Sequence, residues 1–285
     1  MGKREGERPP IPEALPVPIV DAHTHLDACG AKDAADVTGM VDRAASAGVT
    51  RVVTVADDLA AARWAAQAAT WDERVWAAVA VHPTRTASFT DADRAEVEEL
   101  ARRPRVVAVG ETGLDYYWDY SPPAAQQEAF RWHIDLAKRV GKPLMIHDRD
   151  AHEDIYRVLE EEGAPEKVVF HCFSGDAEFA RRCADKGYVL SFAGTVTFRN
   201  AHAQRDAAAL IPSCQILVET DAPFLTPHPF RGRPNEPYCA AYTLRALAQL
   251  RKVDPAELAA EVGATAERVF DLPRTTPREV GGSER

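Results

Sequence analysis

No run of apolar residues in this 285-residue chain approaches the roughly 20 that a membrane span requires, and its first 18 residues lack the apolar segment of a secretory leader. The expected address is the cytoplasm, with no membrane partner. Cysteine is sparse: Cys29, Cys172, Cys183, Cys214 and Cys239 are an odd number with no Cys-x-x-Cys pair. A disulfide scaffold and a thiolate zinc knuckle are thereby disfavoured, and the thiols are expected to be reduced and mostly buried. Basic blocks are missing too, and 34 Lys and Arg against 44 Asp and Glu leave a formal net charge of -10. That sign disfavours long, nonspecific tracking along phosphates, although a nucleic acid held locally at bound cations stays open. There is no internal repeat, no linker to a second domain and no evident obligate protein partner.

What is present is a rhythm. Eight short β-rich runs recur at even intervals: Ile19–Ala22, Arg51–Val55, Val75–Val81, Val106–Gly110, Pro143–Ile146, Lys167–Phe170, Tyr188–Phe192 and Gln215–Val218. They are continuous rather than alternating, which suits strands covered on both faces, and Ala-rich amphipathic stretches separate most of them. Gly48, Gly141, Gly163 and Gly187 each precede a strand, where a helix must end. Thr90 with Asp93 has capping-box spacing, and Ser121-Pro122-Pro123 opens a long helix ending near Val140. Helices at about Tyr238–Leu250 and Pro255–Phe270 complete the shell. Eight strand-then-helix units predict a (β/α)8 TIM-type barrel in one domain over 19–274, with Met1–Pro18 and Thr275–Arg285 as loosely ordered tails.

In such a barrel the residues that follow each apolar run share one mouth. Here they are His23 and His25, His82, Glu111, His147, His171, and Glu219 with Asp221. Residues i and i+2 of a strand face the same way, so His23 and His25 can grip one ion. His133, His152, His202 and His228 fall on helices or loops. Taken singly, a histidine such as His171 is more often a hydrogen-bonded core residue, but five imidazoles and three acids at successive strand ends imply a common target.

Four histidines and two acids exceed the three or four protein ligands of one catalytic zinc, so two divalent ions are expected. Glu111 is placed to bridge them, and Asp221 to bind one ion and take a proton from the attacking water. Mixed nitrogen and oxygen donors suit Zn, Mn or Mg alike.

Six segments carry a specific resemblance: Asp21-Ala22-His23-Thr24-His25-Leu26-Asp27, Val81-His82-Pro83, Gly110 to Tyr117, His147-Asp148-Arg149-Asp150-Ala151, His171-Cys172-Phe173-Ser174-Gly175 and Glu219-Thr220-Asp221-Ala222-Pro223. In order and spacing they resemble the motifs of the TatD family of metal-dependent deoxyribonucleases, over about Ile19 to Phe270. The resemblance implies hydrolysis of DNA phosphodiesters, 3′ to 5′, with DNA or an oligonucleotide as partner. It further implies one ion held by His23, His25, Glu111 and Asp221, and another by Glu111, His147 and His171. His82 and Arg149 would contact phosphate. Tyr116, with Tyr117, Trp118 and Tyr120, is a candidate for stacking a nucleobase, and Arg231, Arg233, Asn235 and Glu236 for the pocket rim.

Two other readings stand beside this one. A two-ion hydrolase of carboxylic esters or amides, including aminoacyl-tRNA, would use the same ligands; against amidohydrolases bridged by a modified lysine, Lys142 precedes strand five at the wrong end. A noncatalytic metal-binding scaffold has no feature in its favour.

Overall fold

The computed structural model describes residues 6–274. Among them, strands β1 (Ile19–Thr24), β2 (Val49–Val55), β3 (Val75–Val79), β4 (Val106–Asp115), β5 (Leu144–Arg149), β6 (Val168–Phe170), β7 (Val189–Phe192) and β8 (Ile216–Val218) form one sheet in chain order. Each pairs in parallel with the next. A parallel bridge between Thr24 and Ala222 brings β8 back to β1. The result is the nearly closed (β/α)8 barrel that the rhythm of the sequence predicts.

Helices α1 (Ala34–Ser46), α2 (Leu59–Ala68), α3 (Asp91–Ala101), α4 (Pro123–Val140), α5 (His152–Glu162), α6 (Ala177–Asp185), α7 (His202–Leu210), α8 (Ala240–Arg251) and α9 (Pro255–Phe270) surround it. Their ends follow local chemistry. Asp33, Asp58 and Asp176 accept hydrogen bonds from the first turns of α1, α2 and α6, and Thr90 with Asp93 forms the expected capping box of α3. The four glycines expected to stop helices all have positive φ.

The core has two shells. Side chains between strands and helices make one, including Ile19, Val52, Leu144, Phe170 and Ile216. Val20, Ala22, Val53, Val55, Val107, Met145, Val169, Val189 and Leu217 fill the barrel itself. Val269, Phe270 and Leu272 belong to that inner cluster, so the end of α9 plugs one mouth of the barrel. Consistent with that placement, Arg51 at the start of β2 donates to the Pro273 carbonyl, and Lys167, just before β6, pairs with Asp271. The opposite mouth is left for chemistry.

Strand ends differ from expectation. β4 runs on through Asp115 and β5 through Arg149, so Glu111 and His147 lie within strands rather than just after them. Apolar runs end where side chains turn polar, but backbone pairing continues as long as the neighbouring strand supplies partners. Conversely β3 stops at Val79, short of Val81.

The N-terminal segment is not a loose tail where it is described. Tyr238 and Tyr242 donate from their hydroxyls to the carbonyls of Pro9 and Pro10 at 2.7 and 2.8 Å. Arg245 donates to Glu13 O, Leu15 N to Ala47 O, and Arg8 pairs with buried Glu236 at 2.8 Å. Leu15 is buried. Proline fixes extended backbone here, and the carbonyls it leaves free are satisfied by side chains of α8 and the turn before it. The expected C-terminal tail, Thr275–Arg285, lies outside the described residues, as do Met1–Glu5. All five cysteines are free, with Cys183 and Cys239 buried but Cys214 exposed.

Candidate metal centre

His23 ends the inward face of β1 and His25 follows it, which brings their Nε2 atoms within 3.2 Å of each other. Asp221 meets them from the other side of the barrel closure. Its Oδ1 is 3.3 Å from His25 Nε2 and 3.7 Å from His23 Nε2. Backbone geometry holds it there: Asp221 takes a left-handed φ of 50, its N–H donates to His23 O at 2.9 Å, and His25 N donates to Ala222 O at 2.8 Å. A left-handed residue costs on the order of 1 kcal/mol, least for Asp, Asn and Gly.

Glu111 stands between two groups of donors. Its Oε2 faces His23 and His25 Nε2 at 3.4 and 3.8 Å. Its Oε1 faces His147 Nδ1 at 2.7 Å, His171 Nε2 at 2.8 Å and His82 Nε2 at 3.5 Å. Ligand-type atoms of His23, His25 and Asp221, of His23, Glu111 and His171, and of His82, Glu111 and His147 each lie within 4.8 Å of one another. A single carboxylate offers one oxygen to each side.

The far nitrogen of each ring decides what the near one can do. His25 Nδ1 donates to Val55 O at 2.8 Å. His147 Nε2 donates to Asp115 Oδ2 at 2.9 Å, and His171 Nδ1 to Glu219 Oε1 at 3.2 Å. His23 Nδ1 lies 3.2 Å from the Met145 sulfur. With one proton on each ring turned outward, as cation binding would require, four ring nitrogens would present lone pairs to the space beside Glu111 and Asp221. His82 is different. Its Nδ1 accepts the Thr84 backbone N–H at 3.2 Å, so the neutral ring carries its proton on Nε2 and presents a donor to the cluster.

Without a cation, the acids draw protons onto the inward side of these rings. Burial opposes ionisation of Glu111, yet the charge of His171 and hydrogen bonds from His147 and His171 hold it well below the usual carboxylate range. For His25, burial is outweighed by the Asp221 hydrogen bond and the charges of Asp221, Glu111 and Asp27, which raise it to about 9. Burial and the neighbouring His147 lower His82. Ionised carboxylates beside imidazoles whose inward protons a cation would displace are, in a buried pocket, the donor chemistry of a divalent cation site, and this geometry suits one.

The six residues expected as ligands, His23, His25, Glu111, His147, His171 and Asp221, are thus brought together, and His82 joins them. Arg149 is on the rim, its guanidinium 3.9 Å over the Tyr117 ring. Tyr116 is not at the mouth. Because β4 continues to Asp115, alternation turns Tyr116 to the helix side, where its hydroxyl donates to Asp154 at 2.7 Å and accepts from Gln127 at 2.8 Å. Asn235 and Glu236 are also structural: Asn235 donates to Thr220 O and Phe224 O, and Glu236 holds Arg43 and Arg8. Lys142 sits at the far end, donating to Ala101 O and Arg103 O. Asp115 carries no sequence signal of its own beyond its spacing: it lies four residues beyond Glu111 in one strand and so on its face.

A (β/α)8 barrel whose mouth gathers this donor set defines a metal-dependent hydrolase of the barrel type. Residues 20–271 match the family model described as TatD related DNase. A metal-dependent hydrolase from Mycobacterium tuberculosis named TatD, itself uncharacterized, is 60% identical over 259 residues, 89% of this chain and 98% of that one. An Escherichia fergusonii protein named 3'-5' ssDNA/RNA exonuclease TatD is 34% identical over 249 residues, 85% of this chain and 94% of that one. The crystal structure of YJJV, a TatD homolog from Escherichia coli, superposes with a TM-score of 0.84 at 30% identity, covering 90% of this chain and 98% of that one. The chain belongs to the TatD family of metal-dependent hydrolases.

Proposed function

We propose that the chain is a two-ion phosphodiesterase that shortens DNA or oligonucleotides from their 3′ ends. The observation that carries this reading is Glu111, whose two carboxylate oxygens serve separate donor groups on either side. His23, His25, Asp221 and Glu111 would hold one divalent ion; Glu111, His147 and His171 the other. Such ions, when bound, supply Lewis acidity toward a phosphoryl oxygen and lower the pKa of a water between them.

The residues do the rest. Asp221 is the outermost of the acids, partly open to the mouth, and takes the proton of the attacking water. His82 donates from Nε2 to a phosphate oxygen, and Arg149 offers a planar fork of donors at the rim. The name of the Escherichia fergusonii relative supports a nucleic acid substrate.

The test incubates ion-reconstituted protein with end-labelled DNA, RNA and aminoacyl esters in parallel, with and without chelator. Glu111→Gln and Asp221→Asn are expected to lower kcat by about two to four orders of magnitude, the usual contribution of a positioned base, while far-UV circular dichroism stays native. Near-normal ion-dependent turnover by Asp221→Asn, or cleavage of the aminoacyl ester but neither nucleic acid, would overturn the reading.

A further inference from the structure

We propose that the β4–α4 loop is a stacking shelf on which Trp118 and Tyr120 receive the bases at an unpaired nucleic acid end, a subsite that rests on the nuclease reading above. Six large hydrophobic side chains are exposed among the described residues, and three of them, Tyr117 (56%), Trp118 (36%) and Tyr120 (64%), fall within one four-residue stretch beside the mouth. Trp118 and Tyr120 lie nearly parallel, centroids 5.4 Å apart and planes at 10°. Arg149 covers Tyr117 at 3.9 Å and stands 5.8 Å from Trp118. Exposed aromatic faces beside a guanidinium match what a base and its phosphate present.

The loop is built, not draped. Gln126 accepts from Asp115 N at 2.8 Å and donates to Asp115 O and Ser121 O, both at 2.9 Å, stapling the loop at both ends. Ser121 Oγ in turn accepts from Ala87 N at 3.1 Å. Asp115 then ties the shelf to the metal cluster. Its Oδ1 accepts the amides of Tyr117 and Trp118, each at 3.0 Å, while Oδ2 holds His147 Nε2 at 2.9 Å. One carboxylate thus anchors both the backbone that carries Tyr117 and Trp118 and a cluster imidazole, which ties the shelf's position to the cluster.

Net charge does not recruit such an occupant. With a net charge of -10 the molecule cannot retain a polyanion by field alone, so affinity must come from local contacts at the mouth. Stacking supplies it without reading sequence, because every base has a π-face. A base inside a duplex is covered by its neighbours, so the shelf selects frayed or single-stranded ends.

The experiment compares KM and kcat of full-length, ion-reconstituted protein on oligothymidylate and on the same oligomer with abasic terminal nucleotides. Trp118→Ala and Tyr120→Ala are expected to raise KM for the base-bearing oligomer by about five-fold to a hundred-fold, the range for one stacked base, with little change in kcat. Trp118→Phe restores most of the loss. The abasic oligomer shows the raised KM with wild-type protein and no further loss with Trp118→Ala. Independently of turnover, oligothymidylate is expected to quench the Trp118 emission of Asp221→Asn protein, since Trp64, Trp71, Trp76 and Trp132 are packed on the core; the signal disappears with Trp118→Phe. Unchanged KM in both alanine variants, or a fall in kcat at constant KM, overturns the shelf while leaving the nuclease reading intact. Failure of wild-type protein to cleave any nucleic acid overturns both.

Discussion

Asp115 and Glu219 show how much of the candidate metal centre lies behind the residues proposed as its ligands. Each accepts a hydrogen bond from the outward nitrogen of a cluster histidine, His147 and His171 respectively. Glu219 is fully buried and also accepts from Cys172 N at 2.8 Å. Removing the negative charge leaves ring orientation less fixed and the ligating nitrogen less basic. Asp115→Asn and Glu219→Gln are therefore expected to weaken binding of a divalent ion by about ten- to a hundred-fold, measured as bound metal per chain against a competing chelator. Wild-type metal affinity in both variants would show that these carboxylates serve packing alone. Asp115→Asn should in addition loosen the aromatic loop, which Glu219→Gln should not.

At the scale of elements, the extension of β4 is what brings Glu111, Asp115 and His147 into one cluster. It depends on Gly113. That residue has a φ of +143, a conformation that side-chain-bearing residues rarely adopt, and a Cβ there would collide with the backbone carbonyl of His147. Gly141, which ends α4 at φ +65, has nothing within 4 Å of the same added atom. Gly113→Ala is thus expected to cost about 3 kcal/mol or more, and Gly141→Ala about 1 kcal/mol. Chemical denaturation of the two variants checks the ordering; equal midpoints would refute the close approach. The hydrophobic rhythm of the sequence placed eight strands correctly but cut β4 at Gly110, because burial of Glu111, Thr112 and Asp115 at a polar mouth leaves no apolar signature to read.

For the whole molecule, acid stability is tied to His133, where α4 meets the end of the third β/α unit. Its Nδ1 donates to Ala129 O at 2.7 Å and its Nε2 accepts Val81 N at 3.3 Å, so a second proton has no acceptor. Burial, aided by the charge of Arg94, lowers its pKa to about 3. The folded state then binds fewer protons than the unfolded chain between about pH 6.5 and pH 3. The stabilising contribution is full above about 6.5 and is lost as pH falls through that window, at about 1.4 kcal/mol per pH unit. His133→Gln is expected to flatten the pH dependence of unfolding free energy by about one proton between pH 6 and pH 4; an unchanged slope would exclude His133 as its source. Docking of Pro9–Leu15 on α8 is also a property of the whole. Its prolines and charges suggest disorder locally, and its carbonyls are met by Tyr238, Tyr242 and Arg245, more than two hundred residues away.

Read alone, the sequence determined the barrel and the identity of the converging residues, since strand period and the rule that strand ends share one mouth are both local. His23, His25, Glu111, His147, His171 and Asp221 could be picked out that way. Tertiary structure decided which oxygen of Glu111 faces which imidazoles, that Tyr116 turns outward while Trp118 and Tyr120 stay exposed, and that Asp115 and Glu219 hold the rings. Those outcomes depend on strand register, on where pairing stops and on which ring nitrogen meets a distant acceptor. Contacts of that kind join residues that only folding brings within hydrogen-bonding distance.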